Sequence, residues 1–104
     1  MHVPGGVLEL MPICDDVNYT FKYVNCHPNN PKLGLQTVVA TGQLSRIDTG
    51  YPLMYSEMTI ITAMRTAATS ALATDLMARK NAHVLAIIGT GAQSEFQVRA
   101  TKLV

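Results

Sequence analysis

Residues 89–94 read Gly-Thr-Gly-Ala-Gln-Ser. They follow the apolar run Val84-Leu85-Ala86-Ile87-Ile88 and open a stretch free of helix breakers, which is the context a dinucleotide-binding turn requires. Gly89 permits the sharp turn, and Gly91 lets the backbone approach a pyrophosphate. The helix that follows offers unpaired N–H groups and the positive end of its dipole. Ser94 replaces the usual third glycine and is small enough for close helix–strand packing. An ordinary tight β–α turn would use the same residues.

Three ionisable side chains stand in apolar surroundings. Arg65 shares one helical face with Met58, Ile61, Ala68 and Leu72 by three-and-four spacing, and no other charge lies between Glu57 and Asp75. A guanidinium there either clamps a carboxylate or phosphate or carries its charge to water along its stem. Lys22 sits between Phe21 and Tyr23, and alternation places it on a face with Thr20 and Val24. Glu9 lies between Leu8 and Leu10. For both, an outer solvated strand face remains open. His2, His27 and His83 lack metal-ligand spacing, so no metal is expected.

Positioning these groups takes two kinds of structure. Residues 7–11 read as a short strand closed by Pro12. Residues 14–18 read as a turn built on Asp15, Asp16 and Asn18. Residues 19–25 form an aromatic and β-branched strand. Two prolines and two asparagines exclude regular structure over residues 27–34. Residues 35–45 and 51–55 pair as strands around the turn 47–50, where Gly50 can take positive φ. Ser56 is the expected N-cap of a helix running to about Arg79, with Glu57 favoured by its dipole. Residues 84–88 are predicted to be a strand covered on both faces, and a second helix runs from Ala92 to about Lys102.

The fold class is α/β of the α+β kind: an antiparallel β region, a long connecting helix, then one β–turn–α unit. The boundaries fall at residues 1–56, 57–82 and 83–104. A single parallel strand needs neighbours, so residues 84–88 are expected to expose apolar surface.

Of the 104 residues, 48% are hydrophobic and 14% charged. About 25% charged is typical of a soluble domain, so this chain either buries much of its surface against a partner or comes from inside a larger protein. A net charge of +1 with no basic run offers no footprint for nucleic acid. No apolar run approaches the roughly 20 residues of a membrane helix, and the start lacks the pattern of a signal peptide. Cys14 and Cys26 are expected to be free thiols in the cytoplasm.

Several strings together resemble the ornithine cyclodeaminase/mu-crystallin family. They are Phe21-Lys22-Tyr23-Val24-Asn25, His27-Pro28, Asn30-Pro31, Gly34-Leu35-Gln36-Thr37-Val38 and Thr49-Gly50-Tyr51-Pro52-Leu53. The most specific block is Thr62-Ala63-Met64-Arg65-Thr66-Ala67-Ala68-Thr69-Ser70-Ala71, and the stretch from Ala86 to Gln97 completes the match. Ser56-Glu57-Met58-Thr59 and the His27-Pro28 loop look like the cyclodeaminase branch. The resemblance implies NAD as cofactor and conversion of L-ornithine, or a similar small amino acid, to L-proline and ammonia with no net redox change. It implies that Lys22 and Arg65 hold the substrate carboxylate, that Glu9 acts near the amino groups, and that Lys22 and Glu9 are this chain's catalytic residues. It further implies cofactor contacts from Thr37, Arg65, Gly89, Gly91, Ala92 and Gln93, and a homodimer formed through the β platform.

Members of the family are about three times longer. The resemblance therefore implies an internal fragment, inactive alone, with another substrate-binding arginine expected before Met1 and the main catalytic aspartate after Val104. Related activities implied as alternatives are an NAD(P)H-dependent ketimine reductase, an amino-acid dehydrogenase and a non-enzymatic ligand-binding protein.

Overall fold

A computed structural model describes residues 1–104. The chain divides into two units, Met1–Thr59 and Ile60–Val104.

The first unit is a five-stranded antiparallel meander in the order β1 (His2–Val3), β2 (Gly6–Cys14), β3 (Asn18–Cys26), β4 (Val38–Arg46) and β5 (Pro52–Glu57). β2 runs through Pro12, where the sequence predicts a stop. β1 pairs only with Gly6 and Val7, so Pro12 lies on an open edge. Its missing N–H costs the ladder nothing there, which is where strands tolerate proline. β3 and β4 pair along nine positions, from Asn18 opposite Arg46 to Cys26 opposite Val38. β4 starts three residues later than predicted. Before it, a 3-10 turn over Asn30–Leu33 closes with Gly34 at φ 73°. The prolines and asparagines there exclude strand and α-helix but leave room for this one tight turn.

The β2–β3 hairpin closes on Asp15, whose carboxylate accepts the backbone N–H groups of Asn18 and Val17, both at 2.7 Å. The Asn18 and then the Val17 bonds stabilise the ionised form and hold the acid below its ordinary value of 3.8. A carboxyl depressed on folding stabilises the fold above its unfolded pKa, and that contribution fades as pH falls from about 3.8 through the folded value. Asp15→Asn keeps an acceptor but cannot titrate. Its melting temperature is expected to fall less steeply below about pH 4 than that of the parent, as calorimetry across that range would register. The second hairpin turns at Gly50, at φ 67°, as the sequence predicts.

Gly6 and Gly42 allow close approaches within the sheet. A Cβ on Gly6 would lie 2.3 Å from His27 Nδ1 and 2.9 Å from the Cys26 carbonyl. His27 is thus a packing residue against the start of β2. Gly6→Ala is expected to destabilise by about 1–3 kcal/mol, the usual cost of overpacking; urea unfolding would measure it.

The second unit holds α1 (Thr59–Met77, whose first residue belongs to the sheet unit) and α2 (Ser94–Thr101). Ser56 is not the N-cap. It and Glu57 still pair with Gly42 and Thr41 as the end of β5. The Glu57 carboxylate accepts the Thr59 N–H instead, which satisfies a free donor of the first turn. Lys80 closes the other end by donating to the Asp75 carbonyl at 2.9 Å.

The buried side of α1 is not the stripe carrying Arg65. Ile61, Arg65, Ala68 and Leu72 are exposed, whereas Thr62, Ala67 and Ala71 are buried with Ala63, Thr66, Ser70 and Thr74 beside them. Small size wins over hydrophobicity here because the hydroxyls are satisfied within the helix. Thr66, Ser70 and Thr74 donate to the carbonyls one turn earlier at 2.7, 3.2 and 2.9 Å.

Residues 84–88 form no strand, and Val84 and Ile88 are fully open to solvent. The expected exposure is present without the expected secondary structure. A parallel strand exists only through its neighbours' hydrogen bonds, and all five strands of the chain belong to the antiparallel meander.

Candidate functional site

The β2–β3 register brings two of the predicted residues together. Glu9 lies opposite Val24 and Lys22 opposite Met11, so both side chains rise from the same face. They are diagonal neighbours, about 7–8 Å apart at the backbone, within reach of long side chains. Across the other edge of β3, Lys22 faces Gly42 and Val24 faces Ala40. Val24 and Ala40 are buried, Lys22 is half-buried and Glu9 is exposed. A cation and an anion thus stand side by side at the margin of an apolar floor. Such a pair complements the carboxylate and ammonium ends of an amino acid.

Thr37 stands apart from this pair. It precedes β4, is half-buried, and accepts the His27 N–H at 2.8 Å through its carbonyl. Cys14 is exposed and Cys26 half-buried, and both are free thiols. The structure contains no group of three or more His, Cys, Asp or Glu side chains arranged to hold a metal, and no helix is long and apolar enough to cross a membrane.

The remaining predicted residues belong to the second unit. Arg65 projects from the exposed side of α1. The turn before α2 is tight: Gly89 has φ 98°, and the Gly91 carbonyl accepts both the Ser94 N–H at 2.9 Å and the Ser94 hydroxyl at 2.7 Å. Ala92 and Gln93 are therefore part of the turn, and α2 begins at Ser94. A Cβ on Gly91 would meet nothing within 4 Å. Open space beside Gly91, a positive φ at Gly89 and a helix N-terminus just beyond are the features a pyrophosphate cradle needs, so these residues fit a dinucleotide.

Over this architecture, the family model "Ornithine cyclodeaminase/mu-crystallin family" matches residues 1–104. The chain belongs to that family. An ornithine cyclodeaminase of Agrobacterium fabrum is 60% identical over 97% of this chain and 28% of its own length. An archaeal alanine dehydrogenase dimer solved with bound NAD superposes with a TM-score of 0.93 at 38% identity, covering 100% of this chain and 32% of that one. A lysine cyclodeaminase, solved to show recognition of L-lysine, L-ornithine and L-2,4-diaminobutyric acid, gives 0.89 at 39% identity over 95% and 29% of the two chains. This chain spans less than a third of each of these relatives. The alanine dehydrogenase superposition covers the whole chain and so includes the glycine turn.

One feature of the sheet face escaped the sequence. A Cβ on Gly42 would lie 2.5 Å from Met58 Sδ and 2.7 Å from the Phe21 carbonyl. The signal was a glycine inside a strand otherwise rich in Val and Thr, a common mark of close approach.

Proposed function

We propose that this chain is part of an NAD-dependent ornithine cyclodeaminase that converts L-ornithine to L-proline and ammonia. The observation that carries the proposal is the Glu9–Lys22 pair on one face of the sheet. Lys22 is half-buried beside Val24 and Gly42, where a hydrogen bond to a carboxylate is stronger than in open water. Glu9, on the open side of the same face, accepts from an amino group and holds or releases a proton there. The family resemblance would make Arg65 a second donor to the carboxylate. Fixing both ends of the amino acid orients its Cα–H, and orientation can account for about 7–11 kcal/mol of barrier in the best cases.

NAD, when bound, supplies an acceptor and then a donor of hydride. Gly89, Gly91, Ala92 and Gln93 would hold its pyrophosphate, with Thr37 and Arg65 contributing further contacts. In this proposal residues 1–56 form the substrate platform, 57–82 the connecting helix and 83–104 the start of the nucleotide-binding domain. The opposite face of the sheet exposes Leu10 and Tyr23, paired across β2–β3, together with Tyr55. That apolar face suits pairing of two copies into a homodimer. The free thiols suit the cytoplasm.

The full-length protein is expected to release ammonia from L-ornithine with catalytic NAD and without NADH accumulating. Net oxidation of NAD(P)H by a cyclic imine, with no ammonia from ornithine, would replace this function with that of a reductase. A full-length protein that sediments as a monomer would remove the dimer from the proposal.

A further inference from the structure

We propose that Met58, seated on Gly42, is a positioning residue for Lys22. This inference rests on Lys22 being a substrate-carboxylate donor.

Lys22 and Gly42 are direct partners across β3 and β4. Side chains at such positions rise from one face with their Cβ atoms about 4.5–5.5 Å apart. Gly42 has no side chain, and the space is filled from elsewhere: the position of its missing Cβ lies 2.5 Å from Met58 Sδ and 2.9 Å from Met58 Cε. The thioether therefore lies alongside the base of the Lys22 stem. On the other side, Met11 is the direct partner of Lys22 in β2. The aliphatic stem of the lysine is bracketed by two methionines.

The bracket is anchored. The Met58 N–H donates to the Ala40 carbonyl at 2.8 Å, and the Ala40 N–H donates to Thr59 Oγ1 at 3.0 Å. Ala40 is fully buried. These two bonds tie Met58 and Thr59 to Ala40 in β4, so the Met58 side chain reaches Gly42 from a fixed root. A lysine stem is flexible and carries a strongly hydrated head. Apolar walls along it narrow its rotamers. A donor already in place loses less freedom when the carboxylate arrives. A thioether suits the task because it fills an irregular gap and is only a weak acceptor, so it does not compete for the ammonium. Met58 touches neither end of the substrate in this scheme and acts through Lys22.

The test uses the full-length protein with NAD. Met58→Ala is expected to raise KM for the amino acid about fivefold or more, with kcat within about twofold of the parent and NAD affinity unchanged. Met58→Leu, which keeps an apolar wall, is expected to restore KM to within about twofold. Should Met58→Ala fail to fold, Met58→Gln serves instead. It is equal in length but sets an amide oxygen beside the lysine, and the same rise in KM is expected. A parental KM in Met58→Ala, or in Met58→Gln where the alanine variant does not fold, would overturn the inference. So would a Met58→Leu protein as impaired as Met58→Ala, or a loss shared equally by KM, kcat and NAD affinity. Failure of the underlying site would look different: Lys22→Ala would then keep parental kinetics whatever Met58 does.

Discussion

Lys22→Ala in the full-length protein is expected to lower kcat/KM for L-ornithine by about 30-fold to several thousand-fold. That range corresponds to about 2–5 kcal/mol, the usual cost of truncating one partner of a desolvated, hydrogen-bonded charge pair. Lys22 is half-buried and its neighbours on the same face include Val24, Met11 and Gly42. A substrate carboxylate brought to this face gives up water and needs a charged donor in return. With alanine at position 22 the carboxylate would still be desolvated but one donor short. Lys22→Arg is not a neutral control, because a planar fork does not occupy the slot of a single ammonium. Ammonia release at varied ornithine concentration separates the two parameters. Kinetics within twofold of the parent would remove Lys22 from the site.

Gly91→Ala is expected to leave the melting temperature unchanged and to weaken NAD binding by about tenfold or more, at least 1.4 kcal/mol. A Cβ at this position meets nothing within 4 Å, and Gly91 is not among the glycines with positive φ. The substitution therefore leaves the fold undisturbed. What it occupies is the space through which the backbone would approach a pyrophosphate. Gly89→Ala is the contrasting case: at φ 98° it adds backbone strain of roughly 1–2 kcal/mol and should lower stability and binding together. Calorimetric titration with NAD, beside thermal unfolding, distinguishes the two. Unchanged NAD affinity in Gly91→Ala would mean that the turn is only a connection.

Local chemistry was the most readable part of this chain. The Asp15 and Gly50 turns, the Thr- and Val-rich strands, the long helix and the Gly89–Gly91 turn follow from backbone preferences a few residues wide. The strings around Lys22, Arg65 and Gly89 pointed to the family without knowledge of any contact. The errors lie where one element answers to another. Pro12 reads as a stop, yet on an open edge it interrupts nothing. Ser56 reads as a cap, but it is held in β5 by its pairing with Gly42, and the next residue's carboxylate takes over the capping. Residues 84–88 have the composition of a strand without a neighbour to pair with. On α1, spacing alone groups Ile61, Arg65 and Leu72 on one face without saying whether it is buried, and the helix buries Thr62, Ala67 and Ala71 instead, since close packing rewards small side chains whose hydroxyls are already bonded within the helix.

Residue identity and short-range spacing thus settled which elements could form and which side chains could bind an amino acid or a phosphate. Strand register settled that Glu9 and Lys22 share a face, and packing settled that Met58 fills the gap over Gly42. Register and packing are relations between segments distant along the chain. A shift of one residue would turn Lys22 to the opposite face, and no property of residues 19–25 alone selects between the two.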